Sequence, residues 1–173
     1  MKTIQVQLDQ RSYSIQVEPG LINNIPEILS NHNYGQKWII ISQYRLMEFF
    51  GFDLQLNLKN AGFDCDFITV PVGEAAKSLN EFSRIISQMI DMRCDRSTTI
   101  LALGGGVVGD IAGFVASSFM RGIKYYQIPT TLLAMVDSSI GGKTGINTAE
   151  GKNMVGSIYQ PKGVLVDPDL LNT

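Results

Sequence analysis

Two stretches near the start of the chain, TIQVQL and SYSIQV, alternate apolar and polar residues with a period of two, and DQRS separates them. Alternation of this kind turns one strand face toward a core, and the short polar break predicts an antiparallel hairpin. Glu18-Pro19-Gly20 then interrupts the chain before helical spacing over residues 21–29. From there the rhythm changes. The short apolar runs KWIIIS, DFITVP, TTILALG, YYQIPTT and GVLVDP alternate with helical patterns. One such pattern runs through Leu46, Phe49 and Phe50, one over residues 79–92 and one over residues 107–120. Unbroken apolar strands are what a parallel sheet covered on both faces requires. The pattern therefore predicts an α/β fold: a mostly parallel, Rossmann-like sheet with helices on both faces, preceded by an N-terminal β-hairpin.

The segment 107–120 is apolar nearly all round, which predicts burial on several sides. Gly109, Gly113 and Ala116 fall on one stripe of it and allow another backbone to approach closely. Arg121-Gly122 closes the segment, with a cation in the last turn and a glycine after it. No internal repeat, low-complexity tract or flexible linker interrupts the chain, so one domain is expected.

Composition narrows the function classes. A length of 173 residues suffices for one real core, and 45% hydrophobic with 17% charged residues is ordinary for a soluble globular chain. A net charge of −2, with no run of Lys and Arg, gives no electrostatic case for nucleic acid or an anionic membrane. The N-terminus lacks the apolar core of a signal peptide, and no stretch is long and apolar enough to span a bilayer, so a cytoplasmic protein is expected. Cys65 and Cys94 show no C-x-x-C spacing and read as reduced, partly buried thiols. The one histidine, His32, sits in the polar stretch SNHNYG and reads as a loop residue. Zinc and general-base sites usually need more than that.

Four stretches carry candidate chemistry. In LALGGGVVGDIAGF, Gly104, Gly106 and Gly109 meet the spacing G-x-G-x-x-G. A strand, a glycine turn and a helix N-terminus together bind anions, because backbone N–H groups and the helix dipole point outward. An ordinary dinucleotide fingerprint opens its domain and has an acidic residue about 20 positions on. Here about a hundred residues come first, and residues 111–136 contain no Asp or Glu. A tight turn with packing glycines remains the alternative. If a dinucleotide binds, Asp110 could serve a ribose hydroxyl. The second stretch, MVDSSIGGKTGINTAEGKNMVGS, is too glycine-rich for a helix and too polar for core, and it reads as a loop. Its Asp137, Lys143, Lys152 and Asn153 suit a polyhydroxylated, phosphorylated ligand, or simply a solvated surface. GGKTG does not meet the full P-loop spacing. In VPVGEAAKS, Glu74 and Lys77 precede a helix as capping groups or ligand contacts. In IPTTLLAMVDSS, Pro129 ends a strand, and Thr130 and Thr131 either cap a helix or face a ligand.

Together, GEAAKS, LALGGGVVGDIAGFVASSFMRGI, QIPTTLLAMVDSSIGGKTGIN and GKNMVGSIYQPKGVLVDPDLLNT strongly resemble the 3-dehydroquinate synthase family. The resemblance covers most of residues 70–173, and the first 60 residues or so match only in layout. It implies that residues 1–173 form an NAD-binding N-terminal α/β domain, a fragment or truncated chain whose second, helical metal-binding domain is missing. It implies cofactor contacts at Glu74, Lys77, Gly105, Gly106, Val107, Asp110, Thr130, Thr131, Leu133, Leu170 and Thr173. It places Asp137, Lys143, Lys152 and Asn153 around substrate and nicotinamide. It gives Arg121 to a neighbouring subunit's substrate phosphate, in a homodimer. Where the family usually has an Asp that holds the adenosine ribose, this chain has Gln43, which can still hydrogen-bond a hydroxyl without charge.

The implied reaction converts 3-deoxy-D-arabino-heptulosonate 7-phosphate, a seven-carbon sugar-acid phosphate, to 3-dehydroquinate plus phosphate in the shikimate pathway of aromatic amino acid biosynthesis. NAD takes and later returns a hydride, phosphate leaves by β-elimination, and an aldol step closes the ring. A divalent zinc or cobalt ion, with ligands outside this chain, polarises the oxidised alcohol. The chain alone is then expected to be folded and inactive. Two alternatives stay open: another sugar-phosphate cyclase or related metal-dependent alcohol dehydrogenase, and a non-catalytic NAD-binding or dimerisation module.

Overall fold

The computed structural model describes residues 1–30, 35 and 37–172. His32 and Thr173, both singled out above, lie outside the described residues. The expected hairpin is β1 (Lys2–Val6) and β2 (Tyr13–Val17), paired antiparallel with Lys2 opposite Val17 and Val6 opposite Tyr13. After it come α1 (Leu21–Ser30), β3 (Lys37–Gln43), α2 (Tyr44–Leu46), a π-helical turn (Met47–Gly51) and α3 (Phe52–Asn60). The chain continues through β4 (Asp64–Val70), α4 (Leu79–Asp91), β5 (Thr99–Gly104), α5 (Gly106–Ser118) and β6 (Lys124–Pro129). It ends with β7 (Lys143–Thr148), β8 (Gly151–Ile158), β9 (Gly163–Val166) and a 3-10 turn at Pro168–Leu171.

Seven strands form one sheet in the order β1-β2-β9-β6-β5-β3-β4, parallel throughout except for the β1–β2 hairpin. Successive residues of the central strands point to opposite faces, and both faces are apolar. Trp38, Ile40, Leu101 and Leu103 join the core that holds Leu21, Ile25, Leu54 and Leu58 from α1 and α3. Ile39, Ile41, Ile100 and Ala102 join the core that holds Ile85 and Met89 from α4 and Val108, Ile111 and Val115 from α5. The continuous apolar runs of the sequence are thus explained by burial on two sides. No helix among the described residues is long and apolar enough to cross a membrane.

The order of connections locates a crevice. From β3 the chain moves outward to β4, then crosses back over β3 to β5. The covering helix changes face with that reversal, α3 lying on one side and α4 on the other. Between β3 and β5 lies the topological switch point, where open α/β sheets place ligands at the carboxyl ends of their strands. Gln43 ends β3, and Gly104 ends β5 at this edge.

Three expectations need correction. The polar stretch read as a loop is largely regular: β7 and β8 form a separate two-stranded antiparallel sheet. Its glycines allow the pairing, because a Cβ on Gly145 would lie 2.7 Å from the Val155 carbonyl oxygen. The small-residue stripe on α5 meets side chains instead of another backbone. A Cβ on Gly109 would lie 2.6 Å from the Gln127 amide oxygen, and one on Gly113 would press on the Thr144 methyl group. Finally, α5 stops at Ser118, not at Arg121-Gly122. Phe119 leaves the helix with an extended backbone, φ −61° and ψ 127°, and Met120 and Arg121 follow in left-handed conformations, φ 49° and 68°.

Candidate functional site

A cavity of about 570 Å³ is walled on one side by Asp110 of α5 and the turn at Asp137–Ile140, and on the other by the β7–β8 hairpin. Asp110, Asp137, Lys143 and Asn153 all line it, together with Ser138 and Thr144. Residues 110 to 153 are brought together here because α5 packs directly against β7, with Gly113 seated on Thr144 and Tyr125.

At the N-terminus of α5 the cap residue is Gly105, and no side chain caps the helix. The N–H groups of the first turn therefore lack an intrahelical acceptor and remain available to an anion. Side chains of neighbouring turns crowd this turn. A Cβ on Gly105 would lie 3.1 Å from the Thr131 methyl group, and one on Gly106 would lie 2.8 Å from Ser138 Oγ. That Ser138 hydroxyl is buried and makes no hydrogen bond in the protein. A buried hydroxyl without a partner is costly, and a ligand oxygen at this turn would satisfy it.

The expected threonine pair divides its work. Thr131 Oγ1 accepts from the Ala134 N–H at 3.2 Å and caps the helical stretch over residues 132–138. Thr130 is buried and ties the two strand ends together, its N–H donating to the Gly104 carbonyl at 3.0 Å. Nor is Glu74 the cap of α4. Ser78 holds that place and accepts from the Glu81 N–H at 3.3 Å.

Lys77 stands at the centre of the polar wall. Its side chain is buried, and its Nζ donates to Asp110 Oδ2 and Asn153 Oδ1, both at 2.5 Å. Two influences oppose each other at Asp110. Lys77 favours its charged form, but burial prevails and holds the carboxyl above its ordinary range. Glu74 lies at the exposed rim on a 3-10 turn (Glu74–Ala76). A hydrogen bond from Asn147 Nδ2 at 2.7 Å holds it below the ordinary carboxylate range, and Lys152, 3.9 Å away, adds to the effect.

Other expected residues lie away from this centre. Leu133 is exposed close after the threonine pair. Val107 sits half-buried in the first turn of α5. The Leu170 side chain is committed to the core beside Leu165 and Val166, so a ligand could meet only its backbone. Arg121 is exposed beyond the opposite end of α5, about 20 Å along the helix from the glycine turn at 1.5 Å per residue. Two residues not anticipated as site members belong to it. Ser138 carried no signal beyond the motif VDSS, and Asn147 none beyond GKTGIN.

The glycine turn, the unpartnered Ser138 hydroxyl and the buried Lys77–Asp110 pair fit a ligand that carries both phosphate and hydroxyl groups. No group of three or more His, Cys, Asp or Glu among the described residues could hold a metal ion.

Comparison with known proteins identifies the family. The family model described as 3-dehydroquinate synthase N-terminal matches residues 67–173. The 3-dehydroquinate synthase of Clostridium acetobutylicum is 45% identical over 173 residues, which is 100% of this chain and 49% of that protein. The crystal structure of a 2-deoxy-scyllo-inosose synthase complexed with carbaglucose-6-phosphate, NAD+ and Co2+ superposes with a TM-score of 0.90 at 26% identity, covering 98% of this chain and 46% of that one. A 2-epi-5-epi-valiolone synthase from Streptomyces hygroscopicus subsp. jinggangensis 5008, solved with NAD+ and Zn2+, superposes with a TM-score of 0.84 at 31% identity, covering 97% of this chain and 46% of that one. The chain thus spans about half the length of the curated relatives it matches. A family model that matches more than half of its residues settles the kinship: the chain belongs to the 3-dehydroquinate synthase family.

Proposed function

We propose that this chain supplies the dinucleotide-binding half of a 3-dehydroquinate synthase, which converts 3-deoxy-D-arabino-heptulosonate 7-phosphate to 3-dehydroquinate and phosphate. The observation that carries the reading is the glycine turn of α5, open to anions and bordered by a buried hydroxyl without a partner. Bound there, NAD would serve as a reversible acceptor of hydride from a substrate alcohol.

The chain's own residues have distinct tasks in this reading. The N–H groups of Gly105, Gly106 and Val107 bind the dinucleotide phosphates, with Ser138 Oγ donating to one of their oxygens. Asp110 and Gln43 accept from ribose hydroxyls at the switch point, while Glu74 and Lys77 border the adenosine side. Thr130 holds the ends of β5 and β6 in place. On the hairpin side, Lys143 and Lys152 bring cationic charge to the substrate, and Asp137 and Asn153 fix its hydroxyls. Arg121, remote from this cleft, serves a neighbouring subunit of a homodimer. The described residues offer no metal ligand set, so no metal-dependent step is assigned to them.

The competing reading is another sugar-phosphate cyclase, since structures of two such synthases superpose closely. Sequence identity favours 3-dehydroquinate synthase, at 45% against 26% and 31%. The test is phosphate release from the seven-carbon substrate by a polypeptide of the relatives' full length that contains this chain. It is run with and without NAD, with zinc or cobalt supplied, beside a six-carbon sugar phosphate as control. NAD-dependent release from the seven-carbon substrate alone is expected. Absence of release, or preference for the six-carbon compound, overturns the assignment. The 173-residue chain by itself is expected to bind NAD without turnover.

A further inference from the structure

A β-bulge re-aims one side chain on the hairpin. The register of β7 against β8 shifts between Ile146 and Thr148, which frees Asn147 from the ladder. Its backbone N–H donates to the Lys77 carbonyl at 2.8 Å. Its side chain faces two ways. Nδ2 donates to Glu74 Oε2 at 2.7 Å, and Oδ1 accepts from the Asn153 backbone N–H at 2.9 Å. The amide orientation is dictated by its partners, since a carboxylate can only accept and an N–H can only donate. Asn153 itself holds a left-handed backbone, φ 56°, and its side chain returns to Lys77. Asn147, Glu74, Lys77 and Asn153 thus close a ring that ties the Glu74–Lys77 segment to the β7–β8 hairpin, and Lys77 joins it to Asp110 of α5.

We infer that Asn147 is a positioning residue that clamps Glu74 and Asn153 into one arrangement, so that the cofactor side and the substrate side of the cleft are set together. The clamp stands on the hydrogen bonds alone, and only the ligands assigned to its two arms rest on the proposed function. Asparagine is the residue type this place demands. Alanine would release both arms. Aspartate would keep the acceptor for Asn153 and set a second carboxylate against Glu74, which is otherwise faced by the cations of Lys152 and Lys77.

The experiment compares wild type, Asn147→Ala and Asn147→Asp in the 173-residue chain. It has two ligand-free readouts, amide hydrogen exchange at Asn153 and the carboxyl titration of Glu74 by NMR, and one ligand readout, calorimetric titration with NAD. In Asn147→Ala, the Asn153 amide exchanges about tenfold faster, the scale of one lost hydrogen bond. Glu74 then titrates at higher pH than in wild type. In Asn147→Asp, the Asn153 amide keeps its protection while Glu74 titrates higher still. A general loss of stability would move the amide in both variants alike, so this split identifies the clamp. NAD affinity falls about fivefold or more in both variants. Unchanged exchange at Asn153 in Asn147→Ala, or unchanged titration of Glu74 in Asn147→Asp, overturns the inference. Should Asn147→Ala not fold, the split in Asn147→Asp decides it alone. Wild-type chain that fails to bind NAD overturns the proposed function instead, while exchange and titration still judge the clamp.

Discussion

Replacing Lys77 by methionine removes a buried charge while keeping most of its volume, so its effect separates the polar contacts of the ammonium, the ion pair with Asp110 and the hydrogen bond to Asn153, from packing. Lys77 is 4% exposed, and its partner Asp110 has a side chain 22% exposed. Deleting one member of a buried pair costs about 3–5 kcal/mol, because the remaining charge is left without a partner. Water still reaches Asp110 in part, which favours the lower end, about 3 kcal/mol. For a chain of this length, 1 kcal/mol moves the melting temperature by roughly 2–4 °C, so Lys77→Met should melt about 6–12 °C below wild type near pH 7. The loss should depend on pH with a definite sign. Burial already raises the Asp110 pKa above 3.8 in the native chain. Without the lysine it rises further. A carboxyl with a raised native pKa binds its proton more tightly folded than unfolded. Its contribution to stability is then complete below 3.8 and is lost as pH rises through the native pKa. The gap between variant and wild type should therefore narrow at about pH 3.5, where Asp110 is neutral. Adding Asp110→Asn should recover most of the loss near pH 7. Thermal melts followed by circular dichroism at both pH values provide the assay. A gap under about 2 °C near pH 7, or a gap that is the same at both pH values, would refute the reasoning.

Two further outcomes are expected. Gly106→Val sets a branched side chain against Ser138 Oγ, 2.8 Å from the new Cβ, and should abolish measurable NAD binding while the chain still melts cooperatively; unchanged affinity by calorimetry would remove the glycine turn from the site. The buried Cys65 thiol is pushed up to about 12, so it should resist alkylation at about pH 8 until the chain unfolds; prompt labelling of the native chain, read by mass spectrometry, would contradict that burial.

Much of the fold was legible because its signals are local. Alternation in the first 17 residues reports a hairpin, and Tyr13 and Ile15 of β2 face the core, whereas in β1 Ile4 stays exposed and only Val6 packs against it. The unbroken runs at Ile39–Ile41 and at residues 100–103 report strands buried on both sides. The expected end of α5 is late because Arg121-Gly122 has the chemistry of a helix stop, while Phe119 already turns to extended backbone (φ −61°, ψ 127°), with the left-handed Met120 and Arg121 after it. Nothing in the side chain of Met120 announces that backbone. It follows from the packing of Phe119 and Ile123 against the core beside Ala116.

The candidate site was legible wherever its chemistry depends on spacing along the chain and illegible wherever it depends on contact across it. The glycine turn and Asp110 lie within one helical turn of each other, so their pattern shows in the sequence. Lys77 and Asp110 are 33 positions apart, and Glu74 and Asn147 are 73 apart. The packing of the Glu74–Ala76 turn against α5, and of α5 on β7, brings them together. The hairpin shows the limit most clearly. Its glycines argued for a loop, because glycine weakens an isolated strand. In the folded chain Gly145 and Gly156 lie side by side in the β7–β8 ladder, where any Cβ would collide with the opposite backbone. Their smallness lets the two strands close while Thr144 packs against α5 and Asn147 turns toward Glu74. The residues that disfavour regular structure in the free chain are therefore the ones that permit it here, and they leave the polar side chains of that wall at the cavity rim.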